Sequence, residues 1–265
     1  MFQFQRAQKS QAKLRMALFG PSGSGKTFTA LAVATRLGER VAVIDTEHGS
    51  ASKYADQFGF DVLNLGSFSP VNYVSAIQAA VAAGYDVVVI DSLSHGWSGK
   101  DGALEQVDKR AAASRTGNSY TAWRDVTPMH NALIDAIVGC KAHVIATMRS
   151  KTEYVLQEDE RGKKVPRKVG MAPIQRDGME YEFDVVGDMD YDNRLVVTKS
   201  RCPALSGHNE VKPGEQLAET LKAWLEDGVP VQVTKAQAVA DRVGGTVEEI
   251  DAVTLCAMIA EAQDD

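Results

Sequence analysis

From residue 14 onward the chain alternates short apolar runs with longer stretches of helical periodicity. The runs at Leu14–Phe19, Arg40–Ile44, Tyr85–Ile90 and Ala142–Thr147 are too short for a stable helix and lack polar alternation, so they predict strands buried on both faces. Asp61–Leu65 is a weaker run of the same kind. Between them, apolar residues recur at helical spacing over Lys26–Leu37, Val71–Ala83 and Trp123–Val138. Strands that alternate with helices pair in parallel through right-handed crossovers, with helices on both faces. The expected fold class is therefore α/β, a mostly parallel, doubly wound sheet.

After Thr147 the pattern changes. Glu153–Gln157 faces Val165–Val169 across the polar turn EDERGKK, and Glu182–Met189 faces Arg194–Thr198 across YDN, which predicts antiparallel additions to the sheet. Glu215–Glu226 reads as a helix, Gly228–Val231 as a linker, and Lys235–Arg242 and Glu248–Ala262 as two short helices. The expected organisation is a leader over 1–13, a core over 14–228 and a small helical appendage over 229–265.

Composition narrows the class without naming it. With 44% hydrophobic and 24% charged residues the chain can bury a core, which excludes wholesale disorder. A net charge of -6 excludes a generally basic surface, so any contact with nucleic acid must be local. Cys140, Cys202 and Cys256 have no metal-ligand spacing and are expected to be reduced thiols. No run approaches the length needed to cross a bilayer, and the expected location is the cytoplasm.

The chemistry starts where the first strand meets the first helix. Gly20, Pro21, Ser22, Gly23, Ser24, Gly25, Lys26 and Thr27 spell GPSGSGKT, the Walker A pattern in its strand-to-helix setting. Glycines let the backbone wrap phosphates, and the helix N-terminus presents amides and its dipole to the anion. Lys26 is expected on the β and γ phosphates of ATP, Thr27 on Mg2+, and Phe28 beside the nucleotide. Asp91 ends the buried run DVVVIDS and is the expected Walker B carboxylate for Mg2+. Glu47, in VIDTEHGS, suits two roles: a base that orients the attacking water, or an acid that only complements a helix dipole. The residues alone leave both open.

The stretch from Val41 to Ala55 and the Asp-Ser at the end of the Walker B strand resemble the RecA family, over roughly residues 14–203. The resemblance implies a RecA-like P-loop core, the catalytic role for Glu47 and adenine stacking for Tyr54. Ala51 stands where that family usually has an acidic residue at the base, so adenine selectivity is less strictly implied. Asp45 and His48 also match and are expected to be a strand-end cap and a packing imidazole. In IDTEHGSA, ATMRSK, QRDGMEYEFDVVGDMD and TKSRCPAL the chain is similar to short phage-encoded RecA-like ATPases of single-strand annealing and recombination.

The resemblance further implies homo-oligomers, as filament or ring, acting on single-stranded DNA. Arg149, at the strand end TMRSK, is then a γ-phosphate sensor or a DNA contact, or else a plain exposed arginine. Lys199 and Arg201 fit a basic pair that reaches a neighbour's γ-phosphate, against the alternative of a solvated pair on an edge strand. DNA is expected at loops over 94–118 and 151–177, the second with Lys151, Lys163, Lys164, Arg167 and Lys168 among nearby carboxylates that also suit a solvated hairpin. Phe4–Ala7 matches a Phe-x-x-Ala docking pattern, and the C-terminal helices are candidates for binding a single-strand-binding protein or DNA, although their acidic end EAQDD suits a solvated cap better. A helicase or its loader, and a DNA-independent ATP-driven switch, remain competing readings. A small-molecule kinase fits less well, for want of an identifiable acceptor pocket.

Overall fold

Apolar residues continuous along a segment leave no face for water, and three largely apolar segments lie within the sheet. In the computed structural model β1 (Arg15–Gly20), β2 (Val41–Asp45) and β4 (Val87–Asp91) are buried at every position. The structure describes residue 4 and residues 6–114, 117–158 and 164–229, with 153–158 and 164–169 described as backbone. The expected helices at Lys235–Arg242 and Glu248–Ala262, and Cys256, lie outside the described residues.

The remaining strands are β3 (Asp61–Asn64), β5 (His143–Glu158), β6 (Lys164–Pro173), β7 (Val185–Met189), β8 (Arg194–Ser200) and β9 (Asn209–Val211). Their order is β3-β2-β4-β5-β1-β7-β8-β9, with β6 paired to β5. Contacts from β3 through β7 are parallel, and β7–β8, β8–β9 and β5–β6 are antiparallel. Both expected hairpins are present, with Gln157 opposite Val165 in one and Met189 opposite Leu195 in the other. The mixed α/β class expected from the pattern is the class observed.

Strand periodicity sorts the core into two layers. Met16, Leu18, Val43 and Val89 pack against α1 (Lys26–Leu37) and α6 (Glu215–Glu226), through Leu31, Ala34, Leu217 and Leu221. Ala17, Phe19, Ile44 and Ile90 turn the other way, onto α2 (Pro70–Ala82) and α5 (Ser119–Val138), through Tyr73, Ile77, Leu133 and Ile137.

The expected loop over 94–118 is largely helical, as α3 (Ser94–Ser98) and α4 (Ala103–Ala113). Its glycines suggested mobility, but Ala103, Val107 and Ala111 repeat every fourth residue and pack with Val126 of α5 and the Trp97 and Trp123 rings. A stripe of alanines amid charged residues carries too little hydrophobicity to stand out. α5 also begins earlier than expected, because the Asn118 side chain accepts the Tyr120 amide and caps it.

The chain separates into a unit of residues 13–225 and a second of residues 1–12 with 226–265. In the second, Ser10 bridges Val229 in parallel, and Lys9 pairs with Asp227 at 2.6 Å. Phe4 is fully exposed, and Gln5 lies outside the described residues. No helix among the described residues is long and apolar enough to cross a membrane.

Candidate nucleotide site

β1 ends at Gly20, where a side chain is impossible: a Cβ would lie 2.2 Å from the Met189 carbonyl oxygen of β7. Gly23 and Gly25 take φ of 81 and 85°, the left-handed region that glycine enters without strain. These glycines turn the chain tightly into α1, whose first turn has no side-chain cap. Its free amides, at the positive end of the helix dipole, form an anion site. Lys26 Nζ donates to the carbonyls of Gly20 at 3.0 Å and Pro21 at 2.7 Å. Burial lowers its pKa, against the opposing pull of Asp91 and Glu47.

Parallel pairing brings the carboxyl ends of the strands to this loop. Asp45 stands opposite Asp91 in the β2–β4 register, and Arg149 opposite Gly20 in β1–β5. Asp91 is buried and accepts from the Thr27 hydroxyl at 2.8 Å and the Thr147 hydroxyl at 2.5 Å. Burial raises its carboxyl above the ordinary range, while the two hydroxyls act the other way. One carboxylate beside one hydroxyl is an oxygen donor set that suits Mg2+ completed by phosphate oxygens and water. Among the described residues no cluster of three or more His, Cys, Asp or Glu forms a metal cage.

Just past β2, Asp45 Oδ1 accepts the Glu47 amide at 2.6 Å, as a strand-end cap does. Glu47 is gripped by Arg149 in a bidentate pair, Nε to Oε1 at 3.0 Å and the terminal nitrogen to Oε2 at 2.6 Å. Burial raises the Glu47 carboxyl, but the Arg149 hydrogen bonds and charge outweigh it and hold the group below its usual range. His48 is exposed rather than packed: its φ of 55° and that of 83° at Gly49 form a sharp turn that leaves the imidazole in solvent. Ala51 is fully buried in the core, so a methyl fills the position where an acid was noted as missing.

Phe28 meets Tyr54 edge-on at 5.7 Å and Phe58 at 5.2 Å, an aromatic surface next to the start of α1. Lys199 and Arg201 stand elsewhere. Lys199 Nζ donates to the carbonyls of Glu180 and Tyr181, at 3.1 and 2.6 Å, and Arg201 pairs with Asp184 at 2.9 Å. The Asp184 amide bonds the carbonyl of Arg15, so this segment lies where β1 begins, whereas the P-loop leaves where β1 ends. Lys151 is exposed on β5, opposite Ala172. Lys164, Arg167 and Lys168 take backbone positions opposite Glu158, Val155 and Tyr154, and Lys163 lies outside the described residues.

Four contributors escaped the sequence pattern. Phe58 joins the aromatic surface, Asn193 donates to the Gly23 carbonyl at 3.1 Å from a turn with φ of 57°, and Thr46 and His95 meet at 2.8 Å beside Glu47. Only Asn193 left a signal, as a turn residue, and that signal says nothing of its reach to the P-loop.

Over 84 residues, 29% of this chain, the sequence is 36% identical to Protein RecA of Porphyromonas gingivalis and 42% identical to Protein RecA of Rubrobacter xylanophilus. The match covers 25% and 24% of those proteins, so the chain spans about a quarter of the length of the relatives it matches. The likeness and the sheet together make this a RecA-like P-loop NTPase fold. A family profile described as an AAA domain matches residues 12–220, from ahead of β1 into α6, and the chain belongs to that family.

Proposed function

We propose that the chain hydrolyses ATP while acting on single-stranded DNA, as a homo-oligomer, in recombination or annealing of the phage type. The observation that carries the hydrolytic part is the meeting of Lys26, Thr27, Asp91 and Glu47 at the carboxyl ends of three parallel strands. Lys26 would exchange its two backbone carbonyls for β and γ phosphate oxygens, and Phe28 with Tyr54 would flank the adenine. Thr27 and Asp91 would hold Mg2+, whose charge offsets the negative charge on the phosphates. Glu47 would orient the water for in-line attack, and Arg149, already at Glu47, would be released towards the γ-phosphate.

Lys199 and Arg201 would complete the site of a neighbouring copy. Their place at the far end of β1 supports that reading, because the length of that strand separates them from their own P-loop. The DNA part rests on the resemblance in the motifs and on the β5–β6 hairpin with Lys151, Lys163, Lys164, Arg167 and Lys168. ATP turnover measured with and without single-stranded DNA, beside electron micrographs of the same mixtures, tests the whole. Stimulated turnover on filaments is the expected result. Turnover indifferent to DNA, with no salt-sensitive retention on it, would favour the ATP-driven switch, and rings that unwind forked duplexes would favour a helicase.

A further inference from the structure

We propose that His95 is a positioning residue for hydrolysis, which fixes Glu47 together with Arg149; the inference rests on the reading of Glu47 as the group that orients water. α3 begins three residues after Asp91, and its second residue reaches back over the end of β2. There His95 Nδ1 lies 2.8 Å from the Thr46 hydroxyl, a hydrogen bond, and Nε2 lies 3.8 Å from Glu47 Oε1, adjacent but beyond hydrogen-bond length, so one ring borders two consecutive residues. The Phe68 ring stacks on it at 4.9 Å and 22°, which fixes its plane.

The Thr46 hydroxyl links the ring to the backbone just past β4. Its hydroxyl oxygen accepts the Ser92 amide at 2.8 Å, so its own proton is left to donate. That hydroxyl donates to the Ser92 carbonyl at 3.2 Å and lies 2.8 Å from His95 Nδ1. Nε2 is the nitrogen that faces the carboxylate. Burial lowers the imidazole pKa, with the push of Arg149 and His48 and against the pull of Glu47 and of a hydrogen bond to the Thr46 backbone, and the net lowering favours the neutral ring. A ring packed beside a carboxylate limits where it can turn without removing its charge, which a group that polarises water must keep.

Arg149 and His95 restrain Glu47 differently. The Arg149 side chain is 51% exposed, a long tether open to solvent, whereas the His95 side chain is 13% exposed and wedged between Phe68 and Thr46. If Arg149 turns to the phosphate during turnover, His95 is the restraint that stays.

Steady-state turnover and binding of a fluorescent ATP analogue, on the full chain, test this with His95→Phe, His95→Gln and Glu47→Gln. His95→Phe keeps the stack on Phe68 and loses both nitrogens. We expect its kcat to fall about 10- to 100-fold with analogue affinity unchanged, the cost of a misplaced catalytic group. His95→Gln, which restores an N–H donor, should recover most of the rate. The double variant His95→Phe/Glu47→Gln should be no slower than Glu47→Gln, because both act through one carboxylate. A parental kcat in His95→Phe beside an inactive Glu47→Gln would overturn the role of His95 and leave Glu47 standing. Parental turnover in Glu47→Gln would instead remove the reading on which the inference rests. Loss of analogue binding in His95→Phe, without recovery in His95→Gln, would mark a merely structural ring and also overturn it.

Discussion

At the scale of single residues, the carboxylate of Glu47 has a decisive test. Glu47→Gln keeps the shape of the side chain and the hydrogen bonds of Arg149 in part, but cannot polarise water. We expect nucleotide binding to persist and turnover to fall by about a hundredfold or more, read by equilibrium binding and phosphate release. His143 offers a second test, of stability. Its Nδ1 accepts the buried amide of Leu14 at 3.0 Å, which only the neutral ring can do. Burial, with Lys13 and Arg15 adding to it, lowers its pKa from 6.5 to about 4. The unfolded chain therefore binds a proton over that window and the folded one does not, so stability is whole above pH 6.5 and declines as pH falls towards 4. The loss is at most about 3 kcal/mol. Thermal melts between pH 7 and 4 should show the decline, and His143→Asn, which keeps an acceptor, should flatten it. The sequence disclosed Lys26, Thr27 and Asp91 because their spacing is itself the chemistry. It hid His95, whose partner Glu47 lies on another strand end, and it misjudged His48, because a left-handed turn decides where that ring points.

At the scale of elements, β5 does two jobs. Its first half is a buried central strand that brings Thr147 to Asp91 and Arg149 to Glu47, and its second half leaves the sheet to pair with β6. Both halves were legible, one as an unbroken apolar run and the other as alternation around a polar turn. Their fusion into one strand was not, since the change of period looked like a boundary. α3 and α4 were lost for other reasons: α3 has only five residues, too few to show a period, and the small apolar stripe of α4, Ala103, Val107 and Ala111, buries little area and registers weakly. If the hairpin meets DNA, replacing Lys164, Arg167 and Lys168 by alanine should weaken binding across all sequences. It should also lower the slope of log affinity against log salt by up to about 3, with basal ATP turnover unchanged. An unaltered slope would remove the hairpin from the interface.

At the scale of the whole molecule, the parallel sheet has a direction, and the basic pair Lys199 and Arg201 is not at the same end of it as the P-loop. Mixing a Lys199→Ala or Arg201→Ala variant with a Glu47→Gln variant should restore turnover above that of either alone, provided subunits exchange, since each supplies the half that the other lacks. Failure to restore it would argue for sites complete within one chain. No periodicity or motif in one sequence can disclose this, because the evidence is the distance along β1 between where Asp184 anchors Arg201 and where Gly20 begins the P-loop. On the shared-site reading that separation has a kinetic corollary. A contributor at one end and a recipient at the other is a head-to-tail contact, which does not cap itself: every copy added to an open row leaves one P-loop unserved at its end. Specific activity should then climb with protein concentration and level off as rows lengthen, and only a row that closes on itself would have no idle member.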